Sequence, residues 1–118
     1  MKVLNYGSLN VDYVYSVDHI IVGGETQHSS KLEVFSGGKG LNQSIALAKA
    51  GVPVYHAGIV GTDGDILLEA CKEAGVNTKY IRRLPVKGGH TMIQVDKNAQ
   101  NCIILYGGTN QMQTKEFV

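Results

Sequence analysis

The stretch Phe35-Ser36-Gly37-Gly38-Lys39-Gly40-Leu41-Asn42-Gln43, "FSGGKGLNQ", decides how this chain is interpreted. Three glycines and a lysine stand immediately before the run "SIALAKAG", whose alanine-rich composition predicts a helix. Glycines let the backbone approach a ligand closely, and the free N–H groups of a first helical turn point outward as donors. The stretch therefore predicts a binding turn at the start of a helix, although a plain helix entry with a solvated lysine has the same pattern.

Two phosphate-binding motifs do not fit this turn. The P-loop pattern GxxxxGK[ST] fails because Lys39 is followed by Gly40 and the earlier glycine position is occupied by Glu33. The dinucleotide fingerprint GxGxxG fails because the third glycine is missing after Gly40. What remains is a backbone that can be approached closely, with the Lys39 ammonium and the Asn42 amide beside it.

Length and charge narrow the class of protein. A length of 118 residues predicts at most one domain. The 11 basic and 10 acidic side chains nearly balance, which leaves the chain with a net charge of +1. Its longest basic cluster is Arg82-Arg83, so we expect no nucleic-acid partner. We expect no membrane association either, because no apolar run approaches the ~20 residues of a membrane span. Cys71 and Cys102 lie in apolar segments outside any CxxC pair, which predicts two buried thiols in a cytoplasmic protein.

Strand and helix signals alternate along the chain. Apolar patterns predict strands at 2–7, 9–18, 31–35, 54–60, 91–96 and 101–106, and helices at 41–50 and 65–74. This order is typical of an α/β fold, here with two parallel core strands, covering helices and a small accessory sheet. The accessory sheet would contain the strands at about 9–18, 31–36 and 91–106.

Asn10 and Asp12 are two residues apart on a predicted strand, so their side chains share one face. A carboxylate beside an amide suits vicinal hydroxyl groups, because each hydroxyl both donates and accepts a hydrogen bond. The same pair also fits the solvated side of a sheet. Combined with the glycine turn, the pair predicts a site for a polyhydroxylated ligand.

The last residues predict an element that is cut short. Thr114 has the character of a helix N-cap and Lys115–Val118 that of a first turn, yet helices shorter than ~12 residues are marginal on their own. We therefore expect the chain to be a fragment of a larger protein.

Five motifs in order, "GSLNVDYV", "GGET", "FSGGKGLNQSIALAKAG", "AGIVGTDGD" and "GGTN", resemble the N-terminal part of the ribokinase-like carbohydrate kinase family, also called the phosphofructokinase B family. The resemblance runs from Met1 to Asn110. It implies a ribokinase-like α/β fold in which residues 1–118 form the N-terminal part of a single kinase domain and the accessory strands form a lid.

The resemblance also implies roles for particular residues. In such enzymes the positions of Asn10, Asp12, Gly38, Lys39 and Asn42 bind sugar hydroxyls. The lid covers the sugar and often pairs with a second lid in a homodimer. Two tyrosines on the strand face opposite Asp12 are then candidates for that contact, although they also fit ordinary sheet packing; they are Tyr13 and Tyr15.

The implied reaction is transfer of the γ-phosphate of ATP, assisted by Mg²⁺, to a hydroxyl of ribose or a similar sugar. The family carries its catalytic aspartate in a GAGD segment together with the nucleotide site, and no GAGD occurs here. We therefore expect no catalytic residue and no metal ligand in this chain, which would carry only the sugar-binding half. A nucleoside kinase of the same fold and a non-catalytic lid or dimerisation module are the alternatives.

Overall fold

A computed structural model describes residues 1–114, so the helical turn expected at Lys115–Val118 lies outside the described residues. The elements in chain order are β1 (Val3–Tyr6), β2 (Asn10–Ser16), β3 (Lys31–Gly37), α1 (Lys39–Lys49), β4 (Val54–Val60), α2 (Asp65–Ala74), β5 (Asn77–Arg83), β6 (His90–Val95), β7 (Asn101–Tyr106) and a 3₁₀ helix (Gly108–Gln111). The strands form two separate sheets.

The first sheet is parallel, in the order β1-β4-β5, and α1 and α2 pack on one of its faces; we call this unit the body. The prediction of two parallel core strands is wrong, because β5 adds a third. Its sequence, NTKYIRR, is largely exposed and polar, so it lacks the apolar run of a buried strand. The buried cluster beneath the helices contains Leu9, Val11, Leu41, Val54, Val60, Leu67, Cys71 and Val76.

The face of the parallel sheet opposite the helices is open. Leu4, Tyr6 and Tyr80 are exposed there, and a groove of about 770 Å³ runs between them. Alternation along β1 explains this arrangement, since Asn5 turns toward α1 and its two neighbours turn away.

The second sheet, which we call the lid sheet, has the order β3-β2-β6-β7. The middle pair, β2 and β6, is parallel, and the outer strands β3 and β7 are antiparallel to their neighbours. The predicted accessory sheet and its late hairpin are thus present. The prediction that both thiols are buried is wrong for Cys102, which is exposed on the outer strand β7, where every residue is exposed. Cys71 is buried, as predicted, and its burial raises the pKa of the thiol to about 11.

The end of β1 and the first turn of α1 meet through a contact between two glycine backbones. A Cβ on Gly40 would lie 2.5 Å from the carbonyl carbon of Gly7 and from the nitrogen of Ser8. A Cβ on Gly7 would in turn lie 2.8 Å from the Gly40 Cα. Since backbone atoms cannot move aside as a flexible side chain can, both positions require glycine.

A buried hydrogen-bond network secures this contact. Asn5 donates from Nδ2 to the Gly40 carbonyl and to Ser44 Oγ, each at 2.9 Å. The Ser44 hydroxyl lies 2.7 Å from His56 Nδ1, and His56 Nε2 lies 3.1 Å from the Gly7 carbonyl. A carbonyl only accepts, so Nε2 carries the proton and Nδ1 accepts from the hydroxyl. Burial lowers the pKa of His56, with the hydrogen bond to Gly7 opposing it.

The glycine contact gives a stability prediction. Gly40→Ala forces backbone against backbone, so we expect it to lower the free energy of unfolding in urea by about 1–3 kcal/mol. Gly23→Ala is the matched control, because a Cβ there meets nothing within 4 Å. Equal urea midpoints for the two variants would contradict the described contact.

The buried imidazole gives a pH prediction. Because the pKa of His56 in the folded chain lies below the ordinary 6.5, the unfolded chain binds the proton more readily, and stability should fall as the pH drops below about 6.5. His56→Gln should lose less stability between pH 7.5 and pH 5.5 than the wild-type chain, whereas His28→Gln, at an exposed position, should lose as much. An NMR titration in which His56 protonates at 6.5 or above would show the prediction to be wrong.

Candidate functional site

The candidate site lies where the chain crosses between the body and the lid sheet. Asn10 begins β2 and pairs with Gly37, the last residue of β3. Gly38, at the N-cap of α1, has a φ of 99°, a left-handed conformation that favours glycine. A Cβ on it would lie 2.8 Å from the Ser8 carbonyl oxygen and 3.2 Å from the Asn10 nitrogen. The fold thus brings the glycine turn against the strand that carries Asn10 and Asp12.

The Asp12 carboxylate lies directly over Gly37, where a Cβ would overlap it. On its other side, Thr91 Oγ1 of β6 donates a hydrogen bond of 2.7 Å to Asp12 Oδ1. Thr91 is buried and Asp12 is partly buried, so this bond is sheltered from water. Asp12 Oδ2 has no hydrogen-bond donor within residues 1–114 and can accept from a ligand.

The side chain of Asn10 is held by a residue a hundred positions away. Asn110, in the 3₁₀ helix, accepts at Oδ1 from the Leu9 N–H at 3.0 Å and donates from Nδ2 to the Leu9 carbonyl at 3.2 Å. The same Nδ2 donates to Asn10 Oδ1 at 2.6 Å. Sequence reasoning assigned no role to Asn110 or Thr91. The motif "GGTN" was the only signal, and it does not say which residue the asparagine contacts.

Lys39 and Asn42 lie on the first turn of α1 with exposed side chains. Within residues 1–114 neither side chain forms a hydrogen bond or an ion pair, so neither is bonded to Asn10 or Asp12. The structure therefore joins Asn10, Asp12 and Gly38 in one contact region and leaves the ammonium and the second amide beside it, free to bind a ligand.

A second contact between the body and the lid sheet lies where the chain enters β6; we call it the β6 junction. Asp63, in the turn before α2, accepts at Oδ1 from the Gly88 N–H at 2.9 Å. Its Oδ2 is buried without a hydrogen bond, and Lys87 Nζ lies 3.6 Å away. Burial disfavours the charged form of Lys87, but the combined effect of Tyr13 and Asp63 is larger and raises the pKa of the lysine. The junction therefore holds the β6 end of the lid sheet against the body.

Tyr13 belongs to this junction. Its ring packs against the buried cluster, lies edge-on to His90 at 6.0 Å, and has Lys87 Nζ 5.7 Å from its centre. Of the two alternatives for this tyrosine, its contacts within the chain match ordinary packing.

The described residues offer no metal site. Within residues 1–114, no group of three or more His, Cys, Asp or Glu side chains is placed to hold a metal ion. The side chains of these residues therefore form no complete set of metal ligands by themselves. Of the helices in this part of the chain, none has the length and apolar character that crossing a membrane requires. The large groove on the body lies on the opposite sheet face and contains none of the predicted site residues.

Comparisons with known proteins identify the family of this chain. The model of the family described as "pfkB family carbohydrate kinase" matches residues 1–118. A ribokinase of Staphylococcus aureus is 40% identical over 99% of this chain, and a ribokinase of Haemophilus influenzae is 35% identical over 88% of it. This chain spans only 40% and 35% of the lengths of these two proteins.

Solved structures give the same result for the fold. Ribokinase from Cryptococcus neoformans, in complex with ADP, superposes with a TM-score of 0.84 at 36% identity, covering 92% of this chain and 35% of that protein. Arabidopsis thaliana ribokinase, complexed with ribose and ATP, gives 0.83 at 32% identity, covering 92% and 36%. The fold is therefore ribokinase-like. The chain belongs to the pfkB family of carbohydrate kinases.

Proposed function

We propose that this chain is the sugar-binding part of an ATP-dependent kinase of ribokinase type. The reaction is transfer of the γ-phosphate of ATP to a hydroxyl of ribose or a similar sugar. One observation carries the proposal. The Asp12 carboxylate, held by Thr91 and lying over Gly37, keeps an oxygen that has no partner within residues 1–114. The glycine turn beside it carries an ammonium and an amide that also have no partner in this part of the chain. A neutral ligand rich in hydroxyl groups matches this mixture of acceptors and donors.

The roles of the individual groups follow from their chemistry. Asp12 accepts from a sugar hydroxyl, and Lys39 donates to a sugar oxygen. The amides of Asn10 and Asn42 add further hydrogen bonds. Gly38, lacking a side chain, allows the ligand to lie against the backbone at the start of α1.

The proposal places ATP, Mg²⁺ and the group that takes the hydroxyl proton outside residues 1–114. Within residues 1–114 no cluster of three or more metal-binding side chains is found. On this basis the 118-residue chain binds sugar without transferring phosphate. Two free cysteines suit a reducing compartment, so we place the protein in the cytoplasm.

The test is a titration of the chain with ribose. Asp12→Asn removes the charge and one acceptor, so we expect the dissociation constant for ribose in calorimetry to rise at least about tenfold. Asp65→Asn is the matched control, because Asp65 is exposed on α2 and, among the described residues, its side chain pairs only with Arg83.

Three results would contradict the proposal. They are absence of ribose binding, equal affinity of the wild-type and Asp12→Asn chains, and tighter binding of adenosine than of ribose, which would favour the nucleoside alternative. A coupled assay on a longer protein containing this chain tests the reaction itself, and no ADP release with any sugar would exclude it.

We also propose a homodimer through the lid sheet. Strand register places Leu105 beside Thr91 and Thr91 beside Asp12, so all three side chains share one face of the sheet. Phe35, paired with Asp12, lies on the same face. Phe35 and Leu105 are 48% and 64% exposed, which is a large apolar area for an uncovered sheet. A second copy packed on this face would also enclose Asp12.

The dimer is tested by sedimentation over a range of protein concentrations. Leu105→Lys places a charge in the proposed interface and should raise the dimer dissociation constant at least about tenfold. Leu4→Lys is the matched control, because Leu4 is 62% exposed on the open face of the body. Dissociation by Leu4→Lys and not by Leu105→Lys would move the interface to the body and contradict the proposal.

A further inference from the structure

Asn110 has one allowed orientation in this structure. Its amide faces the backbone of Leu9, whose N–H can only donate and whose carbonyl can only accept. The carbonyl oxygen of Asn110 must therefore meet the N–H, and its NH₂ group must meet the carbonyl. An inverted amide would set two donors against each other and two acceptors against each other.

The orientation of the Asn110 amide determines the orientation of the Asn10 amide. The second proton of the Asn110 NH₂ group points at the Asn10 side chain, where only an oxygen can accept it. Asn10 therefore turns Oδ1 toward Asn110 and its own NH₂ group away. Within residues 1–114 that NH₂ group makes no hydrogen bond, so both of its protons are available to a ligand.

Asp12 offers a ligand an acceptor, whereas the NH₂ group of Asn10 offers a donor. A carboxylate only accepts, and Thr91 already donates to one of its oxygens. The two side chains on the β2 face thus offer different groups: a donor on Asn10 and an acceptor on Asp12.

Gly89 makes this arrangement sterically possible. A Cβ at this position would lie 2.6 Å from Asn10 Oδ1 and would also overlap the Asn110 NH₂ group. Gly89 is buried at the entry to β6, so the space it leaves is filled by the Asn10–Asn110 hydrogen bond.

We propose that Asn110 is a positioning residue that fixes the donor and acceptor order of the sugar site. It makes Asn10 a donor beside the acceptor Asp12. The site then selects two neighbouring hydroxyl groups, one accepting from Asn10 while the other donates to Asp12. The choice of ligand rests on the proposed sugar-kinase function, whereas the orientation of the two amides does not.

The orientation is tested in the ligand-free chain by NMR measurement of side-chain amide exchange with solvent. Both NH₂ protons of Asn110 are hydrogen-bonded, so they should exchange at least about tenfold more slowly than those of Asn10. Asn77 is the reference, because within residues 1–114 its side chain bonds only through its oxygen, which accepts from the Lys79 N–H. Slow exchange at Asn10 together with fast exchange at Asn110 would overturn the proposal.

The positioning role is tested by a double-mutant cycle with ribose. Asn110→Asp cannot donate to Asn10 and should turn that amide over, presenting two acceptors to the ligand. We expect about tenfold weaker ribose binding. In the Asn10→Ala background the same change should have no further effect, because the group through which it acts is gone. Asn77→Asp, the same chemical change where only an acceptor is needed, should leave ribose binding unaltered.

The outcomes separate the two proposals. If Asn110→Asp weakens binding equally in the wild-type and Asn10→Ala backgrounds, it acts through general structure and the positioning role is overturned. If the wild-type chain fails to bind ribose, the proposed function and the diol selection fail together. The exchange rates then still confirm or overturn the orientation of the amides, including the case where Asn110→Asp does not fold.

Discussion

The backbone contact between Gly7 and Gly40 is the constraint on which the rest of the structure depends. It sets the first turn of α1 against the end of β1, at the point where the chain leaves the body for the lid sheet. The buried hydrogen-bond network stabilises the same contact, because His56 donates from Nε2 to the Gly7 carbonyl. Because the turn cannot shift, Gly38 meets the backbone of Asn10. The candidate site follows from this one crossing.

Two glycines of this region, Gly37 and Gly89, have a purpose that differs from phosphate binding. Each leaves the volume of a missing Cβ to a neighbouring polar group: Gly37 to the Asp12 carboxylate, and Gly89 to the pair of asparagine amides. A polar group placed this way is held on several sides and cannot rotate freely. The two glycines thus leave room for these polar groups, while Thr91 and Asn110 determine which of their atoms face outward.

The amino-acid pattern predicted most of the fold, because its signals are local. The bounds of β4, α2 and β7 match the prediction, since each is an apolar or amphipathic run closed by a recognisable stop. The same pattern did not predict β5, because the largely exposed residues of this strand form no apolar run. Among the site groups, the predicted residues lie on two short segments, whereas Asn110 acts on a strand 100 positions away. No spacing rule connects residues at that separation.

The two thiols differ in a way that makes the protein convenient to observe. Cys71 is wholly buried, and its raised pKa suppresses the reactive thiolate, while Cys102 stands exposed on the outer strand of the lid sheet. A maleimide dye added to the native chain will therefore attach at a single place without any engineering. That label would sit on the same sheet as Asp12 and report, by fluorescence, changes around the lid sheet during ligand addition.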